Sequence, residues 1–314
     1  MLGKPETRNQ KPETMPTISQ ALAEGSRHLN AAGVEQELLT AGLLLRHVMG
    51  VDRTYLLTRP EEQIAEVAYH AYLALVERRA AGEPLQYLTG HQEFYGLDFV
   101  VTPAVLIPRP ETEFLIEQVT RLVRESKEDS PLIVDVGTGS GCIAVTLAVR
   151  LPAARLIATD ASRAALEVAR TNSERHCVRE RIEFIDGDLL EPLSVRGLEG
   201  AVDLLASNPP YVEDESRELL QREVLEWEPP GALFGGPGGV EFYRRLLADG
   251  LKYLKPGGYL VIEIGHGQLD SITDMAIRSS WELVDAIPDL QGIPRTLTFR
   301  KPSEHGRRFV SPAD

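Results

Sequence analysis

The sequence predicts an α/β protein, in which a mostly parallel sheet is covered by helices on both faces and preceded by a small helical segment. Two observations predict this fold. From Pro131 onward, short apolar runs alternate with helical segments, a pattern that favours buried parallel strands joined by helices. From Thr17 to Gly82, apolar residues instead recur at helical spacing. The 314 residues are enough for one large or two ordinary domains.

The N-terminal segment contains three predicted helices. Their sequences are ISQALAEGSRHLNAAG, VEQELLTAGLLLRHVMG and PEEQIAEVAYHAYLALVERRAAG. Gly50 and Gly82 suit the left-handed conformation that ends many helices, and Pro60 suits a first turn. The third helix is expected to bury one stripe of residues, namely Ile64, Val67, Ala68, Ala71 and Leu75. Because its sequence carries no His, Cys or carboxylate cluster, the expected role of this bundle is packing or partner contact.

A β-hairpin is predicted between Pro84 and Pro103. The segments LQYLTG and LDFVVT have strand-like periodicity around Gly90 and Gly96. We interpret this hairpin as the connector between the helical segment and the sheet. The first residues, MLGKPETRNQKPETM, contain too little apolar surface to pack, so a mobile tail is expected there.

The mostly parallel sheet should follow Pro131. Its expected strand segments are, in order, PLIVDVG, ARLIATD, RIEFIDGD, AVDLLASNPP, GYLVIEIG, WELVDAIP and RTLTFRK. Helices are expected near residues 142–150 and 162–173, over EFYRRLLADGLKYLK, and through the 270s. Ligands of such sheets bind outside the carboxyl ends of the strands, so the turns that follow strands are where functional residues are expected.

Composition and charge disfavour several classes of function. With 33 Lys and Arg against 47 Asp and Glu, the formal charge of −14 repels a phosphate backbone, so a direct nucleic-acid partner is not expected. Cys142 and Cys177 are too few for a disulfide framework and lie in no Cys/His cluster, so no metal site is predicted. No run approaches the ~18 apolar residues of a membrane span. A cytoplasmic protein that is neither exported nor membrane-embedded is the expectation.

A glycine-rich turn follows the first strand of the predicted sheet. Its sequence is DVGTGSG, and its candidate ligand-binding residues are Gly137, Thr138, Gly139, Ser140 and Gly141. Glycines at these positions let backbone N–H groups approach a ligand and let the next helix pack closely against the strand. The spacing is G-x-G-x-G, whereas the dinucleotide fingerprint is G-x-G-x-x-G, so a dinucleotide fits less well. A tight turn that needs glycine for structural reasons alone is the competing interpretation.

Two further strand ends carry carboxylates. Asp160 ends the second strand, where it can accept from both ribose hydroxyls, and Asp188 follows the third, where it could accept from an adenine amine beside Leu189. Each aspartate alone is more often a helix cap or a turn former. Together with the glycine-rich turn they describe a pocket for an adenosine, and S-adenosylmethionine satisfies that description. No phosphate-binding lysine of the P-loop type accompanies them.

The fourth strand ends in the stretch NPPY, whose residues are Asn208, Pro209, Pro210 and Tyr211. Two prolines cannot continue a central strand, so the chain must turn there. The carboxamide oxygen of Asn208 and the carbonyl of Pro209 are two acceptors that suit the two N–H donors of a planar NH₂ group, and Tyr211 could form a wall for a flat substrate. Asn208 would also lie beside the donor. A simple strand terminator would explain the turn but neither the Asn nor the Tyr.

At this point the sequence resembles a known family. NPPY after DVGTGSG is similar to class I methyltransferases that act on NH₂ nitrogens. The segments GEPLQYLTGHQEFYGLDFVVTPAVLIPRPETEFLIE, EPPGALFGGPGGVEFYRRLL and DLQGIPRTLTFRK resemble those of the release factor glutamine methyltransferases, the HemK/PrmC family. The resemblance extends from Thr17 to Lys301, and IPRPETE combined with NPPY is its most specific part. IPRPETE could also simply start a helix, so Arg109 and Glu111 are not assigned catalytic roles.

The resemblance implies a class I methyltransferase fold, with a seven-stranded Rossmann-like sheet, a small N-terminal helical domain and a β-hairpin linker. The implied limits are a tail at 1–16, a partner-recognition domain at 17–83, the linker at 84–108, the S-adenosylmethionine-dependent methyltransferase domain at 109–302 and a tail at 303–314. It implies that residues 137–141 and Asp160 bind the donor and that residues 208–211 hold the substrate glutamine. Leu189 departs from relatives that have an aromatic residue there.

The implied activity is methyl transfer to the side-chain amide nitrogen of the glutamine in the Gly-Gly-Gln motif of class I peptide chain release factors. Three alternatives stay open. They are a glutamine methyltransferase of a ribosomal protein, a DNA adenine N6-methyltransferase, and a non-catalytic module that binds the donor. PRPET favours release factors over the ribosomal protein, the charge of −14 disfavours DNA, and intact NPPY disfavours a non-catalytic module.

Overall fold

The computed structural model describes residues 15–126 and 128–303. The chain forms two compact units that divide between Thr89 and Gly90. The predicted tails, residues 1–16 and 303–314, lie almost entirely outside the described residues. The limits predicted for the functional domains and the linker stay a prediction.

The N-terminal unit is helical, as the sequence predicts. Its helices are α1 (Ile18–Ala31), α2 (Glu37–Met49), α3 (Arg53–Thr58), α4 (Glu66–Ala80) and α5 (Leu85–Thr89). Thr17 starts α1 with a capping box, since its hydroxyl accepts from the backbone of Gln20 and the Gln20 side chain accepts in return. Gly50 ends α2 in the left-handed conformation, with φ of 65°. Leu29, Leu44 and Tyr72 are fully buried in the core of this unit.

The predicted start and buried face of the third helix are wrong. The helix α4 begins at Glu66 rather than at Pro60, because Ile64 lies in an extended segment whose N–H donates to the carbonyl of Pro16 at 3.0 Å. The Ile64 side chain is buried, although the residue lies before the helix begins. The face of α4 that packs against the core therefore differs from the predicted one. It includes Tyr72 and Val76, whereas Val67 is 84% exposed.

The first strand of the predicted hairpin is also displaced. Leu85–Thr89 is the short helix α5, whose first turn follows Pro84, and the carbonyl of Pro84 accepts from the N–H groups of Tyr87 and Leu88. A proline favours a first helical turn, and this local preference prevails over the apolar alternation of the segment.

A buried glycine of α1 gives a test of this packing. A Cβ at Gly25 would lie 1.9 Å from the hydroxyl oxygen of Tyr72, which is fully buried. We expect Gly25→Ala to lower the free energy of unfolding by about 1–3 kcal/mol through overpacking. In contrast, a Cβ at Gly42 in α2 would meet nothing within 4 Å, so Gly42→Ala should raise stability by about 0.5–1 kcal/mol. Urea unfolding of the two variants measures both changes, and equal stabilities would contradict the packing described.

The second unit begins with a hairpin and continues as an alternation of strands and helices. Its elements are β1 (His91–Phe94), β2 (Leu97–Val100), α6 (Thr112–Ser126), β3 (Leu132–Val136), α7 (Cys142–Arg150), β4 (Arg155–Asp160), α8 (Arg163–Arg175), β5 (Ile182–Asp186), α9 (Glu191–Val195), β6 (Val202–Ser207), α10 (Arg222–Trp227), α11 (Pro230–Leu233), α12 (Glu241–Tyr253), β7 (Leu254–Glu263), α13 (Leu269–Arg278), β8 (Glu282–Pro288) and β9 (Pro294–Arg300).

The seven strands predicted after Pro131 form one sheet with the order β5-β4-β3-β6-β7-β9-β8. Neighbouring strands from β5 to β7 run parallel, and β9 runs antiparallel to both β7 and β8. The predicted α/β class with a mostly parallel seven-stranded sheet is therefore confirmed. The strand order reverses between β3 and β6, so the carboxyl ends of β3, β4 and β6 meet at one edge where a ligand crevice is expected.

Alternate residues of the central strands enter two separate cores. Ile133 and Leu204 face one core with α6 and α7, whereas Val134 and Leu205 face the other with α12 and α13. All five residues of β3 are buried. Within residues 15–126 and 128–303, no helix combines the length and apolar character that crossing a membrane requires.

Candidate active site

A cavity of about 330 Å³ opens at the carboxyl ends of β3, β4, β5 and β6, a volume in the range of small-molecule sites. The predicted site residues that line it are Gly137, Thr138, Gly139, Ser140, Asp160, Asp188, Leu189, Asn208, Pro209 and Pro210. Of the predicted residues, Gly141 and Tyr211 are not among the described lining residues. The structure thus brings together residues from four strand ends that lie far apart in the sequence.

The glycine-rich turn takes a conformation that its three glycines permit. Gly137, Gly139 and Gly141 have φ values of 76°, 55° and 81°, which side chains with a Cβ rarely adopt. At Gly141 a Cβ would also lie 3.0 Å from the Cβ of Ala169 in α8. The turn is held against β4 because the N–H groups of Gly137 and Thr138 both donate to the carbonyl of Thr159 at 2.9 Å.

Asp135 supports the glycine-rich turn from inside the protein. Its Oδ2 accepts from the Thr138 hydroxyl at 2.6 Å and from the Ala144 N–H at 3.1 Å. Its Oδ1 is buried without a hydrogen-bond partner among the described residues. Burial in this setting raises the pKa of Asp135 to about 7.

The raised pKa of Asp135 predicts a pH dependence of stability. Between pH ~4, where an unfolded aspartate titrates, and pH 7, the folded protein holds a proton that the unfolded chain has released. The contribution of Asp135 to the free energy of unfolding therefore falls as the pH rises from ~4 to 7, by at most about 1.4 kcal/mol per pH unit. We expect Asp135→Asn to flatten the decline in unfolding free energy between pH 5 and pH 7. Urea titrations at several pH values measure the slope, with Asp249→Asn on the exposed face of α12 as the control. A slope equal to that of the parent would contradict a protonated Asp135.

Asp160 joins the end of β4 to the glycine-rich turn. One carboxylate oxygen accepts from the N–H of Gly139 and the other from the N–H of Ser162, each at 2.8 Å. Burial raises its pKa, and these two hydrogen bonds oppose that shift. Each oxygen keeps a second lone pair, so the carboxylate can still accept from a ligand in the cavity.

Asp188 and Leu189 lie in the turn that follows β5. The carboxylate of Asp188 accepts from the Arg245 guanidinium at 2.6 Å, a contact that the sequence does not predict. Leu189 has φ of 48° and its carbonyl accepts from the Thr159 hydroxyl at 2.9 Å. Both side chains line the cavity. Their predicted contacts with an adenine ring stay a prediction.

The NPPY turn is anchored on both sides. Ser207 donates to the carbonyl of Val136 at 2.7 Å, which fixes the end of β6 against β3. The Asn208 side-chain Nδ2 donates to the Thr112 hydroxyl at 3.0 Å. After the turn, the Tyr211 carbonyl accepts from Gln268 Nε2 at 3.1 Å. The carboxamide of Asn208 therefore borders the cavity in a defined position.

Glu263, at the end of β7, is a site residue that was not predicted from the sequence. Its Oε2 accepts from the Thr112 hydroxyl at 2.6 Å, and its Oε1 lies 3.5 Å from the Tyr211 hydroxyl. The Tyr243 hydroxyl donates to its carbonyl at 2.9 Å. Burial raises the pKa of Glu263 to about 7 and raises that of Tyr211 above its usual range. The rule that locates Asp160, a carboxylate at a strand end, also locates Glu263.

The IPRPETE segment borders the same cavity. Arg109 and Thr112 line it, and Arg109 forms an ion pair with the buried Glu228. The other carboxylate oxygen of Glu228 accepts from the N–H of Ile107 at 3.2 Å. Glu228 belongs to the segment EPPGALFGG, so these contacts connect that segment with IPRPETE. The assignment of individual residues to donor or substrate stays a prediction.

Two family models match this chain. The one described as the PrmC N-terminal domain matches residues 20–90, and the one described as the methyltransferase small domain matches residues 110–226. A methyltransferase domain requires a methyl donor, and the cavity borders the residues expected to bind it.

Two known proteins that are similar to this chain carry the same name. This chain is 43% identical over 288 residues to the release factor glutamine methyltransferase of Koribacter versatilis, and the match covers 91% of this chain and 99% of that protein. It is 45% identical over 287 residues to the one from Moorella thermoacetica, with the same coverage of 91% and 99%. Among solved structures, the hMettl16 catalytic domain, crystallised in complex with a 3′UTR hairpin, shares the fold at a TM-score of 0.53 and 18% identity, covering 72% of this chain and 81% of that one. The chain belongs to the release factor glutamine methyltransferase family.

Proposed function

We propose that this protein transfers a methyl group from S-adenosylmethionine to the side-chain amide nitrogen of the glutamine in the Gly-Gly-Gln motif of class I peptide chain release factors. The observation that carries the proposal is the Asn208 carboxamide, held by Thr112 at the edge of a cavity that the glycine-rich turn and Asp160 also line. The names of the relatives at 43% and 45% identity support release factors as the substrate. A partner of this kind would place the activity in the cytoplasm.

The residues present fit S-adenosylmethionine. The open space at Gly137 and Gly139, where a Cβ would meet nothing within 4 Å, leaves room for a ligand close to the backbone. The Asp160 carboxylate supplies acceptors for ribose hydroxyls, and Leu189 supplies an apolar contact for a base. When bound, the donor supplies an electrophilic methyl group.

The substrate would be held by two acceptors of the NPPY turn. A glutamine amide nitrogen is a poor nucleophile because its lone pair is delocalised into its carbonyl group. The carboxamide oxygen of Asn208 and the carbonyl of Pro209 would accept from its two N–H groups and orient it for in-line attack. Positioning can contribute up to ~7–11 kcal/mol, compared with ~1–3 kcal/mol for one buried hydrogen bond. The nitrogen becomes acidic once it is alkylated, so the proton can leave late and no strong base is needed.

The N-terminal unit would recognise the release factor. Several large apolar side chains are exposed on this unit, namely Leu38, Leu39, Leu57 and Val67. Exposed apolar side chains that adjoin one another, as Leu38 and Leu39 do in the sequence, suit contact with a protein partner. The proposed recognition domain, residues 17–83, contains all four.

The test is a comparison of acceptors. The purified protein and labelled S-adenosylmethionine would be incubated separately with a class I release factor, with ribosomal protein and with duplex DNA. We expect label only in the release factor, and none when its Gly-Gly-Gln glutamine is replaced by alanine. Label in ribosomal protein or DNA but not in the release factor would replace this proposal with the corresponding alternative. Donor binding without label in any acceptor would favour a non-catalytic module.

A further inference from the structure

A chain of hydrogen bonds leads from the NPPY turn into the protein. Asn208 Nδ2 donates to the Thr112 hydroxyl at 3.0 Å, and that hydroxyl donates to Glu263 Oε2 at 2.6 Å. Thr112 and Glu263 are each only 1% exposed, and the hydrogen bond between them is buried, so water does not compete for that contact. These residues come from α6, the end of β6 and the end of β7.

The chemistry of the hydroxyl group gives this chain a direction. A threonine hydroxyl has one proton to donate, and a carboxylate can only accept. When the Thr112 proton is directed to Glu263, the Thr112 oxygen can only accept from Asn208. The NH₂ end of the Asn208 carboxamide must then point to Thr112, which leaves Oδ1 as the acceptor that can serve a substrate. The flipped carboxamide would set Oδ1 against the Thr112 lone pairs.

The state of Glu263 decides the direction. The groups that act on its charge are the desolvating core around it, Glu111 and Tyr211, together with the cation Arg295 and the hydroxyl of Thr112. Burial is the largest of these influences, and it raises the pKa of Glu263 to about 7. A protonated Glu263 could donate to Thr112, which would then donate to Asn208 Oδ1 and reverse the whole chain. The Glu263 side chain is buried and its two oxygens contact the hydroxyls of Thr112 and Tyr211, so it has little freedom to move away from Thr112.

We propose that Thr112 and ionised Glu263 are positioning residues, which turn the Asn208 carboxamide so that its oxygen faces the NH₂ group of the substrate. This inference rests on the proposed function for its effect on methyl transfer, but the orientation of Asn208 is a property of the protein without substrate. Neither residue needs to touch the substrate or the donor for this role.

Variants of Thr112 separate positioning from packing. Thr112→Val keeps the shape and removes the hydroxyl, so we expect kcat with release factor to fall about tenfold or more while the dissociation constant of S-adenosylmethionine changes less than about twofold. Thr112→Ser restores the hydroxyl and should recover most of kcat. Equal kcat values for Thr112→Val and the parent would overturn the proposal, as would a Thr112→Ser variant no better than Thr112→Val.

The pH profile tests the part played by Glu263. Because the ionised form is the working form, kcat of the parent should rise with pH through about 7 and then level off. Glu263→Gln has no proton to lose, so its lower kcat should lack this rise. A Glu263→Gln variant with the same rising limb as the parent would exclude Glu263 as its source.

Nuclear magnetic resonance tests the orientation without any substrate. In the free protein above pH ~8, where Glu263 with a pKa of about 7 is ionised, the side-chain NH₂ protons of Asn208 should show a strong nuclear Overhauser effect to the methyl protons of Thr112. The effect should weaken at pH ~6, where Glu263 is mostly protonated. Absence of this effect at the higher pH would overturn the orientation. If the parent instead methylates no release factor although the effect is present, the proposed function fails while the orientation stands.

Discussion

Asn208→Ala is expected to lower kcat for release factor methylation by ~10²–10³, with a much smaller change in the dissociation constant of S-adenosylmethionine. The substitution removes one of the two acceptors that would fix the substrate NH₂ group, leaving the Pro209 carbonyl to hold a group that can rotate. It also leaves the Thr112 hydroxyl without the donor that contacts it at 3.0 Å. The effect should appear mainly in kcat, because the contact is expected to strengthen as the nitrogen pyramidalises.

Asn208→Asp is the sharper variant, since it keeps the shape and an acceptor but adds a charge. Its carboxylate would face the Thr112 oxygen, whose proton is directed to Glu263 at 2.6 Å, so two carboxylates would compete for one hydroxyl proton. We expect this variant to bind the donor and transfer methyl slowly. Single-turnover measurements with release factor determine the rate, and Gln291→Ala, which removes an exposed carboxamide, is the control. A parent-like rate for Asn208→Ala would mean that NPPY only terminates a strand.

Asp160→Ala is expected to weaken donor binding by about 1.5–3 kcal/mol, which is ~10- to 150-fold in the dissociation constant. The carboxylate would accept from ribose hydroxyls, and it also accepts from the N–H groups of Gly139 and Ser162 at 2.8 Å. Its removal therefore costs the ligand contact and loosens the glycine-rich turn together. Asp160→Asn keeps one acceptor oxygen, so its loss should be smaller.

Calorimetry with S-adenosylmethionine measures the change at Asp160. The matched control is Asp186→Ala, because Asp186 pairs with Asp160 in the register of β4 and β5 but is exposed and bound to Arg163. An unchanged dissociation constant in Asp160→Ala would remove this carboxylate from the donor site. Equal losses of donor affinity in the two variants would mean that the negative charge at this end of the sheet matters, rather than a direct contact of Asp160 with the donor.

The sheet could be predicted because each of its strands corresponds to a short apolar run that can be recognised locally in the sequence. A strand that is buried on both faces must be apolar along most of its length, as LIVDV in β3 is, and that requirement is visible in the sequence. The errors arise where a local preference competes with a tertiary contact or with a second local preference. Ile64 fits the apolar stripe of the predicted third helix. In the structure it lies in an extended segment before α4, where its N–H donates to the carbonyl of Pro16. The strand expected at Leu85–Thr89 is instead a helix whose first turn follows Pro84.

The candidate site divides in the same way. The glycine-rich turn, Asp160 and Asn208 could be identified because the carboxyl ends of parallel strands converge at one edge of a sheet. The contacts around Asn208 could not be predicted, since Thr112 and Glu263 are 151 residues apart and only the folded chain brings them together. The ion pair between Arg245 and Asp188 is equally non-local, at 57 residues. Such pairs leave no periodic pattern in the sequence.

The measurement that tests the central claim most directly is the location of the transferred methyl group. Unmethylated class I release factor would be incubated with the purified protein and S-adenosylmethionine, digested, and sequenced by tandem mass spectrometry. We expect one added methyl group on the side-chain nitrogen of the Gly-Gly-Gln glutamine with the parent protein, and a strongly reduced fraction with Asn208→Ala. A release factor that stays unmodified at this glutamine, or that carries the methyl group on another residue, would contradict the proposed activity.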